Sequence, residues 1–227
     1  MVTNLLLALL FFILSHAVPA IPGVKQALIN QFGRPVYLIV YILLSLGTFT
    51  WVILAALAAP SWQIWEPVEI HFSLAVAAML LSCMVLALGL MTANPLSLSL
   101  RRFQTGDTLA PGLGWTRHPL LWALVLWSAG HILANGDTTG VLLFGTLGAF
   151  AAVYMPILDG RKKTSLGTTT WDRFRQNAPI LPFGGQSKPA LDSTTLKAFA
   201  FGLVLFGVLL ALHEPVIGIN PLWIFTG

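Results

Sequence analysis

The 12 lysines and arginines of this chain fall in a few gaps between long apolar stretches, and the placing of those gaps constrains the fold more than anything else. Lys25 and Arg34 follow the first stretch. Arg101, Arg102 and Arg117 lie between the third and fourth. Arg161, Lys162, Lys163, Arg173, Arg175 and Lys188 lie between the fifth and sixth, which Lys197 opens. Six spans therefore put every basic residue on one side, and the opposite side holds Glu66, Glu69, Asp137 and Glu214. Merging or splitting a span would scatter the charges. The positive-inside rule makes the basic side cytoplasmic and places both termini on the non-cytoplasmic side.

The chain is 56% hydrophobic and 9% charged, with a mean hydropathy of +0.82. A soluble domain carries roughly 25% charged residues, and a helical crossing takes about 20 apolar residues. The expectation is an all-α, polytopic membrane helical bundle forming one domain over residues 1–227. Its helices run over about Leu5–Val18, Pro35–Ala59, Val68–Met91, Pro119–Ala134, Thr138–Leu158 and Leu196–His213. The first and fourth are short for a full crossing.

The pI near 9.6 is no sign of nucleic acid, because the basic residues sit between spans. Cys83 is the lone cysteine, which excludes an internal disulfide and a thiolate cluster. MVTNLLLALLFFILSHAVPA has the apolar core of a secretory signal but no Lys or Arg ahead of it, so it reads as a retained span. Residues 159–195 mix Trp171, Phe174 and Phe183 with Arg173 and Arg175, as a segment at the membrane surface does beside anionic lipid phosphates. GDTLAPGLGW is a turn-rich stretch, and Pro119 suits the first position of a helix.

His71, His118 and His213 fall near span ends, where an imidazole can reach water or headgroups. His16 and His131 fall deeper, about 16 Å and 18 Å along their helices, near the middle of a hydrocarbon core of roughly 30 Å. An ionisable side chain at that depth marks a functional site by default. The alternative is a hydrogen bond to a neighbouring helix through Ser15, Ser128 or Asn135. His118 and His131 are about 20 Å apart on one helix and cannot share a metal. Two imidazoles without a third charged ligand suit haem, whose porphyrin leaves two axial places. Ala17, Ala129 and Gly130 would let a flat ring approach, and Arg34, Arg117 and His118 are candidates for its propionates.

Three stretches, HAVPAIPGVKQALINQFGRPVYLIVYILLSL, TRHPLLWALVLWSAGHILANGD and DGRKKTSLGTTTWDRFRQNAPILPF, resemble the NnrU family of bacterial integral membrane proteins over nearly the whole chain. The resemblance implies a multi-pass protein of the bacterial inner membrane linked to nitrogen-oxide reduction and denitrification. The family is similar in turn to the 15-cis-zeta-carotene isomerase, a haem b enzyme acting on a polyene. By motif, its two histidine ligands match His16 in LSHAVPA and His131 in WSAGH, and its RHP triplet matches Arg117-His118-Pro119. The isomerase carries a cysteine three residues before its second histidine, where this chain has Ser128. A hydroxyl is a poor haem ligand, which counts against thiolate exchange and against polyene isomerisation.

Two roles follow for a haem here. One is cis–trans isomerisation of a lipid-soluble polyene. The other, favoured by Ser128, is capture of nitric oxide or support of a nitrogen-oxide reductase. A different class also enters, because RHP followed by an aromatic-basic segment resembles the isoprenylcysteine and phospholipid methyltransferases. That would imply S-adenosylmethionine, yet the matching stretch offers only Asp159 and Asp172 among many cations.

Overall fold

The computed structural model describes residues 2–21, 23–104, 108–185 and 190–223; Gly106, Asp107 and Lys188 of the stretches named above lie outside them. The described residues are all-α: α1 (Val2–Ala17), α2 (Val24–Phe32), α3 (Arg34–Leu57), α4 (Glu69–Met91), α5 (Pro119–Asn135), α6 (Thr138–Leu166), α7 (Thr168–Arg175) and α8 (Ser193–Ile217). Helices α3, α4, α6 and α8 are long and apolar enough to cross a membrane, and α1 and α5 are shorter apolar helices. These six are the apolar segments marked out by the sequence.

The differences have local causes. Helix α2 falls in the gap between the first two expected spans, which the sequence marks only by Lys25 and Arg34. Gly23 (φ +86°) and Gly33 (φ +81°) in fact bracket one short helix and set it off from α3. Helix α6 runs on past Leu158 through Gly160, which keeps helical backbone, as far as Gly167, whose φ of +78° ends it. Helix α7 then begins within the stretch expected at the membrane surface.

The chain forms two compact units, Met1–Glu66 with Gly136–Thr146, and Pro67–Asn135 with Leu147–Gly227. In the first, α1 and α3 run antiparallel. Their pairing descends from Trp51 Nε1 donating to Asn4 Oδ1 (3.2 Å), through Phe12 against Phe49, to His16 against Ser45 and Tyr41. Only Thr48, Val52 and Ala55 of α3 are buried, while leucines and isoleucines such as Ile39, Leu43 and Leu54 face outward. Lipid gives apolar side chains no reason to hide from it, so helices there meet through small residues. Gly136 closes this unit: its carbonyl accepts from the N–H groups of Ile64 and Trp65.

The second unit is built around α4. On one flank α5 descends antiparallel to it, with Gly130 against Ala75 and Ala78, Ser82 Oγ donating to the Ala123 carbonyl (2.7 Å), and Gly89 against Leu120. On the other flank Gly202 of α8 lies against the backbone of Cys83 and Met84. Helix α6 joins through Gly148, which faces Ser128, and through Ala151, Met155 and Leu158 packed with Leu121.

Asp192 caps α8, its carboxylate accepting from the Thr195 backbone N–H at 3.0 Å and from the Thr195 hydroxyl. Those bonds, the hydroxyl first, lower the Asp192 pKa below the usual carboxylate value. A depressed folded pKa gives stability that is present above the unfolded value, about 3.9, and lost as pH falls through the folded one. Asp192→Ala is expected to lower stability by about 1 kcal/mol at neutral pH. Asp192→Asn, an equally good cap, should keep the stability and lose its acid dependence. Thermal unfolding in detergent at pH 7 and pH 4 checks both.

Candidate functional site

Arg117 and His118 lie at the start of α5 in the second unit, and both reach Asp159 of α6. Arg117 Nε donates to Asp159 Oδ1 at 2.9 Å and Nη2 to Oδ2 at 2.5 Å, while Nη1 donates to the Ala178 carbonyl at 3.0 Å. The guanidinium lies over the Trp171 ring, 5.6 Å from its centroid, a favourable seat for a partly desolvated cation. His118 is 0% exposed, with Nε2 3.0 Å from Asp159 Oδ1 and Nδ1 2.8 Å from Ser97 Oγ. An ionised carboxylate only accepts, so His118 Nε2 carries the proton that it donates.

Residues 178–183 lie along the same edge. The Pro179 carbonyl accepts from the Arg117 N–H, and the Ile180 carbonyl accepts from Thr116 Oγ1 and Trp122 Nε1. The Phe183 N–H donates to the Trp115 carbonyl. The cluster thus clasps α5, α6 and the chain after α7 through a carboxylate already shared by two basic groups. Its chemistry is that of a satisfied, partly buried ion pair. Asp172, the other acid of this stretch, pairs with Arg175 at 2.8 Å. Both carboxylates available to a sulfonium cofactor therefore have basic partners.

The remaining sequence candidates are placed as follows. Arg34, in the first unit, is exposed at the first residue of α3. His16, also in the first unit, is in the last turn of α1. Its Nδ1 is 2.8 Å from the Phe12 carbonyl and its Nε2 3.2 Å from Ser45 Oγ. His131, in the second unit, is half-buried one turn before the end of α5, with Nδ1 2.8 Å from the Trp127 carbonyl. His71 Nδ1 accepts from the Val68 N–H at the start of α4. No group of three or more His, Cys, Asp or Glu side chains gathers among the described residues.

The small residues flanking His131 serve packing. Gly130 is closed off against α4, where an added Cβ would come within 3.2 Å of the Ala75 carbonyl, and Ala129 is exposed. Ser128 is 2% exposed, and its hydroxyl, facing Gly148, has no hydrogen-bond partner among the described residues.

The model for the family described as NnrU protein matches residues 4–221, from the first turn of α1 to beyond the end of α8. The chain belongs to the NnrU family. No match to it is found among curated proteins or solved structures. In this NnrU-family chain, sequence reasoning passed over two partners. Asp159 was weighed only against S-adenosylmethionine, although two adjacent basic residues opening a helix call for an acid on the same side. His213, expected at the membrane surface, sits beside His131, their ring centroids 6.5 Å apart.

Proposed function

We propose that this NnrU-family membrane protein binds haem b and supports nitrogen-oxide metabolism in the bacterial inner membrane, with the basic side cytoplasmic and both termini outside. The observation that carries the reading is the way the His131 ring is held. Its Nδ1 lies in hydrogen-bond range of the Trp127 carbonyl, which can only accept, so Nδ1 bears the proton and Nε2 carries the lone pair. That is the arrangement of a metal-ligating histidine whose second nitrogen is held by the protein. His16 has the same anchor on Phe12, and ligation there would replace its 3.2 Å contact with Ser45.

The family resemblance matches His16 and His131 to the histidine ligands of a haem, and each carries the carbonyl anchor such a ligand needs. A haem held by both histidines would supply an iron centre able to pass an electron, or to take up a small ligand where one imidazole leaves. Trp127 fixes the orientation of His131, its ring centroid 5.0 Å from the imidazole. The support role is favoured over polyene isomerisation because a hydroxyl stands at Ser128, turned against Gly148 of α6. Arg117 and His118 already hold Asp159, so a propionate would have to displace a carboxylate there, whereas Arg34 is exposed.

The test is the absorption spectrum of the detergent-purified protein. A Soret band is expected, and it should fall at least tenfold in His131→Ala and weaken in His16→Ala. A protein without the band, or one whose band survives His131→Ala unchanged, would overturn the reading.

A further inference from the structure

His131 on α5 and His213 on α8 both belong to the second unit, and their rings are tilted by 31° at a centroid separation of 6.5 Å. Two imidazoles bound to one ion through nitrogens at about 2.0 Å place their centroids roughly 6 Å apart when they face each other across it. A plain ring contact also falls in this range, so the distance alone does not separate the two.

The anchoring of the second ring does. His213 Nδ1 is 2.7 Å from the Ile219 carbonyl, just as His131 Nδ1 is 2.8 Å from that of Trp127. Each Nδ1 thereby carries its proton toward a carbonyl, so in the neutral ring the lone pair that metal binding requires lies on Nε2. The His213 anchor is built by the chain reversal after α8. Gly218 (φ +84°) donates its N–H to the Glu214 carbonyl and turns the chain back, and Trp223 packs edge-on against Phe72 of α4 at 5.6 Å. Helix α8 and the turn after it thus orient the second ring by the same kind of bond that orients the first.

We propose that His131 and His213 form a two-imidazole ligand set for one transition-metal ion of the class imidazole favours, copper, zinc, nickel or iron. With no third His, Cys, Asp or Glu gathered there among the described residues, the ion keeps open positions for a small exogenous ligand. The site goes beyond the haem reading and is that of the haem-free chain: one Nε2 binds one metal, so haem and ion alternate at His131.

The experiment titrates Cu2+ alone into the haem-free full chain in detergent and follows electron paramagnetic resonance. One tightly bound Cu2+ per chain, with hyperfine structure from two imidazole nitrogens, is expected. His131→Ala and His213→Ala should each weaken it about 100-fold, and His71→Ala should leave it unchanged. His213→Gln, checked as monodisperse by gel filtration, keeps a hydrogen-bonding side chain and should weaken binding as much as His213→Ala. Copper bound by the His213 variants as tightly as by the wild-type chain, or a spectrum without a second imidazole nitrogen, would overturn the pair. Soret loss in His16→Ala speaks to haem alone, so either proposal can fail while the other stands.

Discussion

Asp159→Ala is expected to be the most damaging single substitution in the second unit, lowering stability by about 3–5 kcal/mol. Removing one member of a buried ion pair strands the other, and here it strands two. Arg117 is 11% exposed and His118 0%, and both lose their acceptor at once. The Ala178 carbonyl and the Trp171 ring remain for Arg117, but neither carries charge. Arg117→Ala should cost less, since His118 still serves the carboxylate it leaves behind. Asp159→Asn, which keeps an acceptor and loses the charge, should fall between wild type and Asp159→Ala. The double variant Arg117→Ala/Asp159→Ala should recover part of the single loss, because the two effects share one interaction. Thermal unfolding in detergent reads this as a drop on the order of 10 °C for Asp159→Ala. A drop no larger than that of Arg117→Ala would mean the carboxylate is not what holds the clasp.

The second large effect belongs to Gly202→Ala, expected to destabilise by about 1–3 kcal/mol. A Cβ at Gly202 would come within 2.6 Å of Met84 Cα and 2.8 Å of the Cys83 carbonyl. These are backbone atoms of α4, which cannot rotate away as a side chain could, so α8 would have to move off. Gly207 on the same helix has open space around it, and Gly207→Ala should be neutral or stabilising by about 0.5–1 kcal/mol through helix propensity. The pair separates close packing from the general effect of removing a glycine. Equal melting temperatures for the two variants would show that the α4–α8 approach carries no weight.

The six apolar helices were legible because hydrocarbon-facing segments announce themselves by length and composition. Helix α2 was hidden by the glycines and prolines around it, and α7 by its mixed, polar character over eight residues. The two histidines of the second unit show a subtler limit. Counting from Pro119 put His131 near mid-membrane, and the end of the last span put His213 at the surface. Each sits four residues before the end of its helix, at Asn135 and Ile217, so the rings meet although their counted depths differed. Depth along one helix is readable from rise per residue, but the level at which two helices meet depends on packing. Gly130 and Gly202 set that packing against α4, and nothing in their immediate sequence names the partner.

The arrangement around α4 also dictates an order of assembly. Its first flank is taken by α5, the next helix off the ribosome, so a two-helix hairpin can close while synthesis continues. Its second flank receives α8, which is made last. Until then α8 does not cover the Cys83 and Met84 backbone that Gly202 will meet, and in a bilayer acyl chains would lie there and be expelled as Gly202 docks. Completion of the unit is therefore a late exchange of lipid for backbone, and a nascent chain halted before α8 would leave the membrane with that face of α4 still greased.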